Sequence, residues 1–172
     1  NWLINIQINQ MKKYLKLILS IFIIIFCYFI YGRFHSNSEI PEFEYQTIDN
    51  NSFSNKDIEN SSKNIVFIYF SCKCEDCKYL INNVDDYKSL QNQNRIILVT
   101  TEKNIDVIKN FIDYNALKKL KIPILVDYKN NFPSDFGLGI SIDLPKILVF
   151  NEKKSFLKKI DSIEKLKAHS NL

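Results

Sequence analysis

Three of the four cysteines fall within six residues, in the run Ser71-Cys72-Lys73-Cys74-Glu75-Asp76-Cys77. Cys74 and Cys77 stand at C-x-x-C spacing, where a β-branched and aromatic stretch hands over to helix-like periodicity. A helix N-terminus lowers the pKa of a cysteine placed there, through its dipole and its unpaired N–H groups. A second cysteine one turn along can reach back. Disulfide exchange needs that pair: an accessible thiolate to attack and a nearby thiol to resolve the mixed disulfide. Cys74 is the expected attacker. Cys77, on the apolar side of the helix, is the expected resolver. Glu75 and Asp76 between them oppose a thiolate on Cys74 and should raise its pKa, which tilts the pair towards reducing other disulfides.

Other chemistry is open to the same residues. A C-x-x-C pair can be a structural disulfide or half a zinc site, but zinc needs four ligands. His35 and His169 lie at the domain's ends, so no zinc or other metal centre is expected. Cys72, Cys74 and Cys77 together could hold a soft ion such as Cu(I) in a non-catalytic module. Cys72 alone reads as a partly buried strand-end residue, or as a competitor for Cys74 through a strained ring.

The elements that must position these cysteines follow from periodicity. Pro41, Phe43, Tyr45 and Thr47 alternate with polar residues as a half-buried strand, Asp49-Asn50-Asn51 is a turn, and Phe53 begins a return strand. Ile65 to Phe70 and Arg95 to Thr100 are continuous apolar runs, as in strands covered on both faces. Cys77, Leu80, Ile81, Val84 and Tyr87 form one apolar helix face, and Ile105, Ile108, Ile112 and Ala116 another. Ile122 to Val126 is a short strand opened by Pro123. Asn130 to Gly139 holds turns and at most a short helix. Pro145 to Phe150 and Ser155 to Ile160 make a late hairpin around Asn151 to Lys154. Asp161 with Glu164 resembles a capping box for a final helix through His169. The expected class is α/β, a mixed central sheet with helices on both faces and an N-terminal β-hairpin.

Ahead of this domain, residues 14–31 are apolar except for Lys16 and Ser20, near the lower length limit for spanning a bilayer. Lys12 and Lys13 precede the run and Lys16 lies near its start; together they favour a cytoplasmic N-terminus, placing the rest outside the cytoplasm, in the cell envelope or periplasm. A cleaved signal peptide is the alternative, but Cys27 to Arg33 offers no small-x-small cleavage site. The expected organisation is a cytoplasmic segment 1–13, a transmembrane anchor 14–31, a linker 32–39 and a folded domain 40–169. Met11 followed by two lysines reads as a natural start, leaving 1–10 as upstream sequence. Cys27 is expected to face lipid or to pack against a neighbouring segment.

Composition narrows the function classes. Three glycines argue against Gly-rich phosphate loops, and an apolar share of 46% is enough for a sizeable core. The net charge of +4 comes from lysines interspersed with acids, with no aromatic interleaving, so nucleic acid is not an expected partner.

Taken together, the residues resemble the thioredoxin-like family, specifically the membrane-anchored TlpA/ResA-type branch of the redoxin and AhpC/TSA group. The resemblance covers roughly Ile40 to Ile160. It rests on the opening hairpin from Pro41-Glu42-Phe43 to Asp49-Asn50-Asn51, and on the strand leading into Cys74-Glu75-Asp76-Cys77. It rests too on Ile124-Leu125-Val126-Asp127 with Phe136-Gly137, and on Leu144-Pro145-Lys146-Ile147-Leu148-Val149-Phe150, which is similar to the cis-proline strand. It implies a cis bond at Pro145, packing of that proline on the C-x-x-C loop, and substrate pairing with the backbone of Leu144. It also implies a thiol–disulfide oxidoreductase with no cofactor beyond its redox-active disulfide. Its partners would be a disulfide-containing protein and a membrane thiol electron donor. The interval from Cys77 to Pro145 has room for an extra strand–helix insertion. Two positions depart from the pattern: Lys73 stands where an aromatic usually precedes the first cysteine, and Ile68 where many relatives place a buried acid or amide. That leaves the base assisting Cys77 without a candidate except Glu75. A peroxiredoxin-like thiol peroxidase using Cys74 is the enzymatic alternative, although Phe67 replaces its proline and no arginine follows Arg95.

Overall fold

The computed structural model describes residues 12–27, 39–59, 61–139, 142–160 and 162–170. The chain divides into two units, Asn1–Ser36 and Asn37–Leu172. In the first, residues 12–27 form a helix, α1, whose large apolar side chains from Tyr14 to Phe26 are exposed. Among the described residues no helix is long and apolar enough to cross a membrane. Residues 28–31 of the expected anchor, the linker as far as Ser38, residues 1–10 and Asp161 lie outside the described residues.

In the second unit, β1 (Glu44–Thr47) and β2 (Ser52–Ser54) pair as the expected hairpin. Its turn places Asn50 at φ 60°, a left-handed conformation that asparagine tolerates. A 3-10 turn (Asn55–Ile58) leads to β3 (Asn64–Phe70), which ends just before the cysteines. There follow α2 (Glu75–Asn82), α3 (Val84–Leu90), β4 (Asn94–Thr100), α4 (Ile105–Phe111), α5 (Tyr114–Lys119) and β5 (Ile124–Val126). The chain closes with α6 (Phe132–Asp135), β6 (Lys146–Phe150), β7 (Phe156–Ile160) and α7 (Ile163–Ser170). At the start of α7, Ser162 Oγ accepts from the Lys165 N–H (3.4 Å). Glu39, assigned to the linker, already bridges to Ser155.

The seven strands form one sheet in the order β2-β1-β5-β4-β3-β6-β7. β3 lies inside the sheet, next to the central strand β4, parallel to β4 and antiparallel to β6, and is buried from Ile65 to Phe70. Strand alternation sends Val66, Ile68 and Phe70 to one face and Ile65, Phe67 and Tyr69 to the other. The first face packs beneath Cys77, Leu80 and Ile81 of α2, with Ile108, Leu117 and Leu166 from later helices. The second packs against Ile40, Phe43, Ile58, Phe132 and Phe136, so it is covered mainly by the N-terminal segment and α6. Helices do cover both faces, but unequally.

Both amphipathic patterns read as single helices are broken. The first breaks at Asn83 (φ −81°, ψ 70°) and the second at Ile112–Asp113. One side chain joins the two breaks. Asn82 Nδ2 donates to Phe111 O (3.0 Å), and Asn82 Oδ1 accepts from Asp113 N–H (2.9 Å). Asp113 then caps α5 by accepting from Ala116 N–H. The Leu80 carbonyl at the first break is satisfied by the hydroxyl of buried Tyr87 (2.8 Å). Tyr87→Phe should therefore cost about 1.5 kcal/mol, the typical penalty for stripping a buried carbonyl of its partner. Equilibrium urea unfolding of the two chains checks this figure.

Candidate active site

Phe70 ends β3, and Ser71 to Cys74 form a turn closed by Cys74 N–H donating to Ser71 O (3.2 Å). Cys74 occupies the N-cap of α2 in extended conformation, and its Sγ accepts from Cys77 N–H (3.1 Å). That bond meets one of the donors a helix start leaves open, and it would stabilise negative charge on Cys74 sulfur. Cys74 and Cys77 are joined as a disulfide, with Cα atoms 5.2 Å apart. Cys77 is fully buried, whereas Cys74 is half-buried. An incoming sulfur can approach Cys74 and not Cys77.

The loop before β6 closes over the pair. The Leu144–Pro145 peptide bond is cis. Leu144 O lies 3.4 Å from Cys74 Sγ, a distance at which the reduced thiol could donate to it. Pro145 is buried and Leu144 half-buried. A groove of about 500 Å³ runs alongside, lined by Asp76, Tyr79 and Leu80 of α2, by Asp143 to Lys146, and by Ser162 and Glu164. Tyr79 is 73% exposed there, an unusual position for a large aromatic with no covering partner.

The remaining expected residues are dispersed around this core. Glu75 and Asp76 are exposed in the first turn of α2. Lys73 is exposed, its N–H donating to Ser71 Oγ (3.2 Å). Cys72 is a half-buried free thiol packed against the α2 side of the core. Burial pushes its pKa up and the nearby Glu102 adds to this, while a hydrogen bond with Thr100 works in the opposite sense. In the reduced protein at pH 8, Cys72 should thus be alkylated by iodoacetamide more slowly than an unstructured cysteine. Its rate should still be climbing above pH 9, since a raised pKa delays the thiolate, and timed mass spectrometry reads this directly.

Thr100 and Glu102 were not visible as site residues from sequence. They reach Cys72 because the β3–β4 register sets Phe70 opposite Thr100. Glu102 has its pKa lowered by accepting from the Asn104 and Lys103 N–H groups, with a smaller effect from Lys73. Ile68, where an acid was sought, is fully buried in the same apolar cluster as Cys77. Asp127 is a buried carboxylate, but it serves structure. Its oxygens accept from Asn131 and Phe132 N–H (2.8 and 3.1 Å) and from the Tyr69 hydroxyl (3.3 Å), tying β5 to the start of α6. Burial, then Asp127, pushes the Tyr69 phenol up, so it stays a donor.

Known proteins place this arrangement. Residues 37–158 match the model of the AhpC/TSA family. No curated protein matches the chain. Among solved structures, StoA from Bacillus subtilis is 22% identical with a TM-score of 0.53, covering 76% of this chain and 97% of that one. A secreted Mycobacterium tuberculosis disulfide oxidoreductase, described as homologous to E. coli DsbE, is 12% identical with a TM-score of 0.58, covering 75% and 94%. A Chlorobium tepidum protein described as a thiol:disulfide interchange protein DsbE is 13% identical with a TM-score of 0.59, covering 77% and 93%. The chain belongs to the AhpC/TSA family and has the thioredoxin-like fold of these structures.

Proposed function

We propose that this protein is an extracytoplasmic thiol–disulfide oxidoreductase of the TlpA/ResA type that reduces disulfides in partner proteins. The observation that carries the reading is the Cys74–Cys77 disulfide at the start of α2, with Cys77 N–H and Leu144 O both converging on Cys74 Sγ. In the reduced state the Cys74 thiolate attacks one sulfur of a partner disulfide. A Cys74–partner bond forms, the partner bond breaks, and the first partner thiolate leaves. Cys77 then loses its proton and attacks Cys74 Sγ, re-forming the Cys74–Cys77 disulfide and releasing the second partner thiol. Two electrons pass from the pair to the partner, and a membrane thiol donor returns them.

Leu144 offers its backbone to the substrate beside Pro145, and the groove along α2 takes the adjoining peptide. Exposed Glu75 and Asp76 place negative charge where the Cys74 thiolate develops, which favours the reducing direction. The anchor is the apolar stretch 14–31, of which α1 supplies the described part with its apolar side chains outward. Secreted or surface-exposed relatives, including a pneumococcal exposed lipoprotein thioredoxin, support an extracytoplasmic domain.

Incubating the reduced full chain with insulin tests the reading. The expected result is stoichiometric insulin reduction with appearance of the Cys74–Cys77 disulfide by peptide mass spectrometry. Failure to reduce insulin, with peroxide consumed instead by a Cys77→Ser chain, would replace it with a thiol peroxidase.

A further inference from the structure

A cleft of about 690 Å³ lies at the end of the sheet remote from the cysteines. It opens where β3 begins, and β3 ends next to Ser71, so roughly 20 Å of strand separates the two sites. Its origin is a missing rung. Leu98 N–H donates to Pro123 O (3.0 Å), and the next bond down the β4–β5 ladder would need an N–H from Pro123, which proline lacks. β5 therefore cannot continue past Pro123, and Asn94 to Ile96 are left lining open space.

Four cations line this space against one carboxylate: Lys63, Arg95, Lys118 and Lys121 against Asp49. Three of the cationic groups are held in place at the wall. Lys63 Nζ donates to Gln91 O (2.5 Å), the Arg95 guanidinium sits 6.0 Å from the Phe53 ring centre, and Lys118 Nζ sits 5.4 Å from that of Tyr114. The Asp49 carboxylate is occupied by the Tyr114 hydroxyl (2.8 Å). Among the described residues, none of the four cations is ion-paired with a carboxylate. Like charges gathered in one concave space repel each other, and a multivalent anion would relieve that repulsion.

We propose that this cleft is a binding site for a small multivalent oxyanion of the phosphate class, separate from the redox pair. Arg95 provides the planar fork that suits a phosphate, and the lysines provide point charges around it.

The test is calorimetric titration of the full chain in neutral detergent with inorganic pyrophosphate at fixed ionic strength. Saturable binding is expected, about tenfold weaker in Arg95→Gln and roughly tenfold weaker again when Lys118→Gln is added. Lys118 is exposed, so Lys118→Gln alone gives a variant with little folding risk. Lys153→Gln, on the exposed β6–β7 turn, should bind as the parent does. Displacement of pyrophosphate by anionic but not zwitterionic phospholipid vesicles would assign a lipid headgroup, and absence of displacement a soluble ligand. Lack of saturable binding, or equal weakening by Lys153→Gln, would overturn the proposal in favour of diffuse surface charge.

Discussion

A Phe67→Ala chain should lose about 4 kcal/mol of stability, the middle of the range for a buried phenylalanine truncated in a rigid core. Phe67 is fully buried at the centre of β3. Its ring meets four others: Phe136 at 4.9 Å, Phe43 edge-on at 5.6 Å, and Phe132 and Phe150 at 6.0 Å. These partners come from the N-terminal segment, α6 and β6, so the cavity cannot collapse by moving one element. Phe156 is the internal comparison. It is half-buried on an edge strand and, among the rings of the described residues, touches only Phe150 at 5.6 Å, so Phe156→Ala should cost about 1 kcal/mol. Urea unfolding followed by far-UV circular dichroism measures both. Near-equal losses would mean that the aromatic face does not organise the fold.

This face matters to the redox site through β6. Leu148 pairs with Phe67, and the same strand begins immediately after Pro145. A β6 held by the ring cluster fixes where Leu144 O sits against Cys74 Sγ. The α2 face fixes the other half, since Cys77 packs with Leu80 and Ile81 above Ile68. The geometry at sulfur is thus the junction of two cores on opposite faces of the sheet, and Leu144 packs against both.

Much of this was legible in the chain. β3 and β4 read as unbroken apolar runs because both their faces are covered, and the hairpins announced themselves through Asp49-Asn50-Asn51 and Asn151 to Lys154. Cys74 and Cys77 stand out by their spacing, and Leu144 and Pro145 by the resemblance of their strand to the cis-proline strand. The helix breaks were not legible, for a physical reason. The apolar spacing continues across Asn83 and Ile112, since each pair of short helices still faces one core. What divides them is the tertiary bond of Asn82 to Phe111 and Asp113, partners 29 and 31 residues away. The Cys72–Thr100 contact was hidden likewise, because strand register is not written in either strand alone. Periodicity also gives no sign of a missing rung at Pro123, so the basic cleft appears only once β4 and β5 are paired.

Cys74→Ser and Cys77→Ser should both end catalytic turnover, yet leave different products. Without Cys74 no thiolate faces solvent at the helix start, and insulin reduction should fall at least about a thousandfold, as when a nucleophile is removed. Without Cys77 the attack still occurs, because Cys74 keeps its half-exposed position and the Leu144 carbonyl beside it. The mixed disulfide then has no resolving thiol and should accumulate as a covalent adduct on Cys74. The backbone N–H of residue 77 survives the substitution, so the hydrogen bond that would stabilise the Cys74 thiolate survives as well. Cys72 is the one remaining thiol near the adduct. Its raised pKa, set mainly by burial, makes it a poor substitute, so adding Cys72→Ser should leave the trapped yield unchanged. Peptide mapping of the trapped species decides the matter: a Cys72–Cys74 disulfide with free substrate would move the resolving role from Cys77 to Cys72, and an adduct on Cys72 would make Cys72 the attacking thiol. Burial argues against that result. Cys77 approaches Cys74 from within the protein, where no second substrate can enter, and so resolves the mixed disulfide without exposing a new thiolate to other partners.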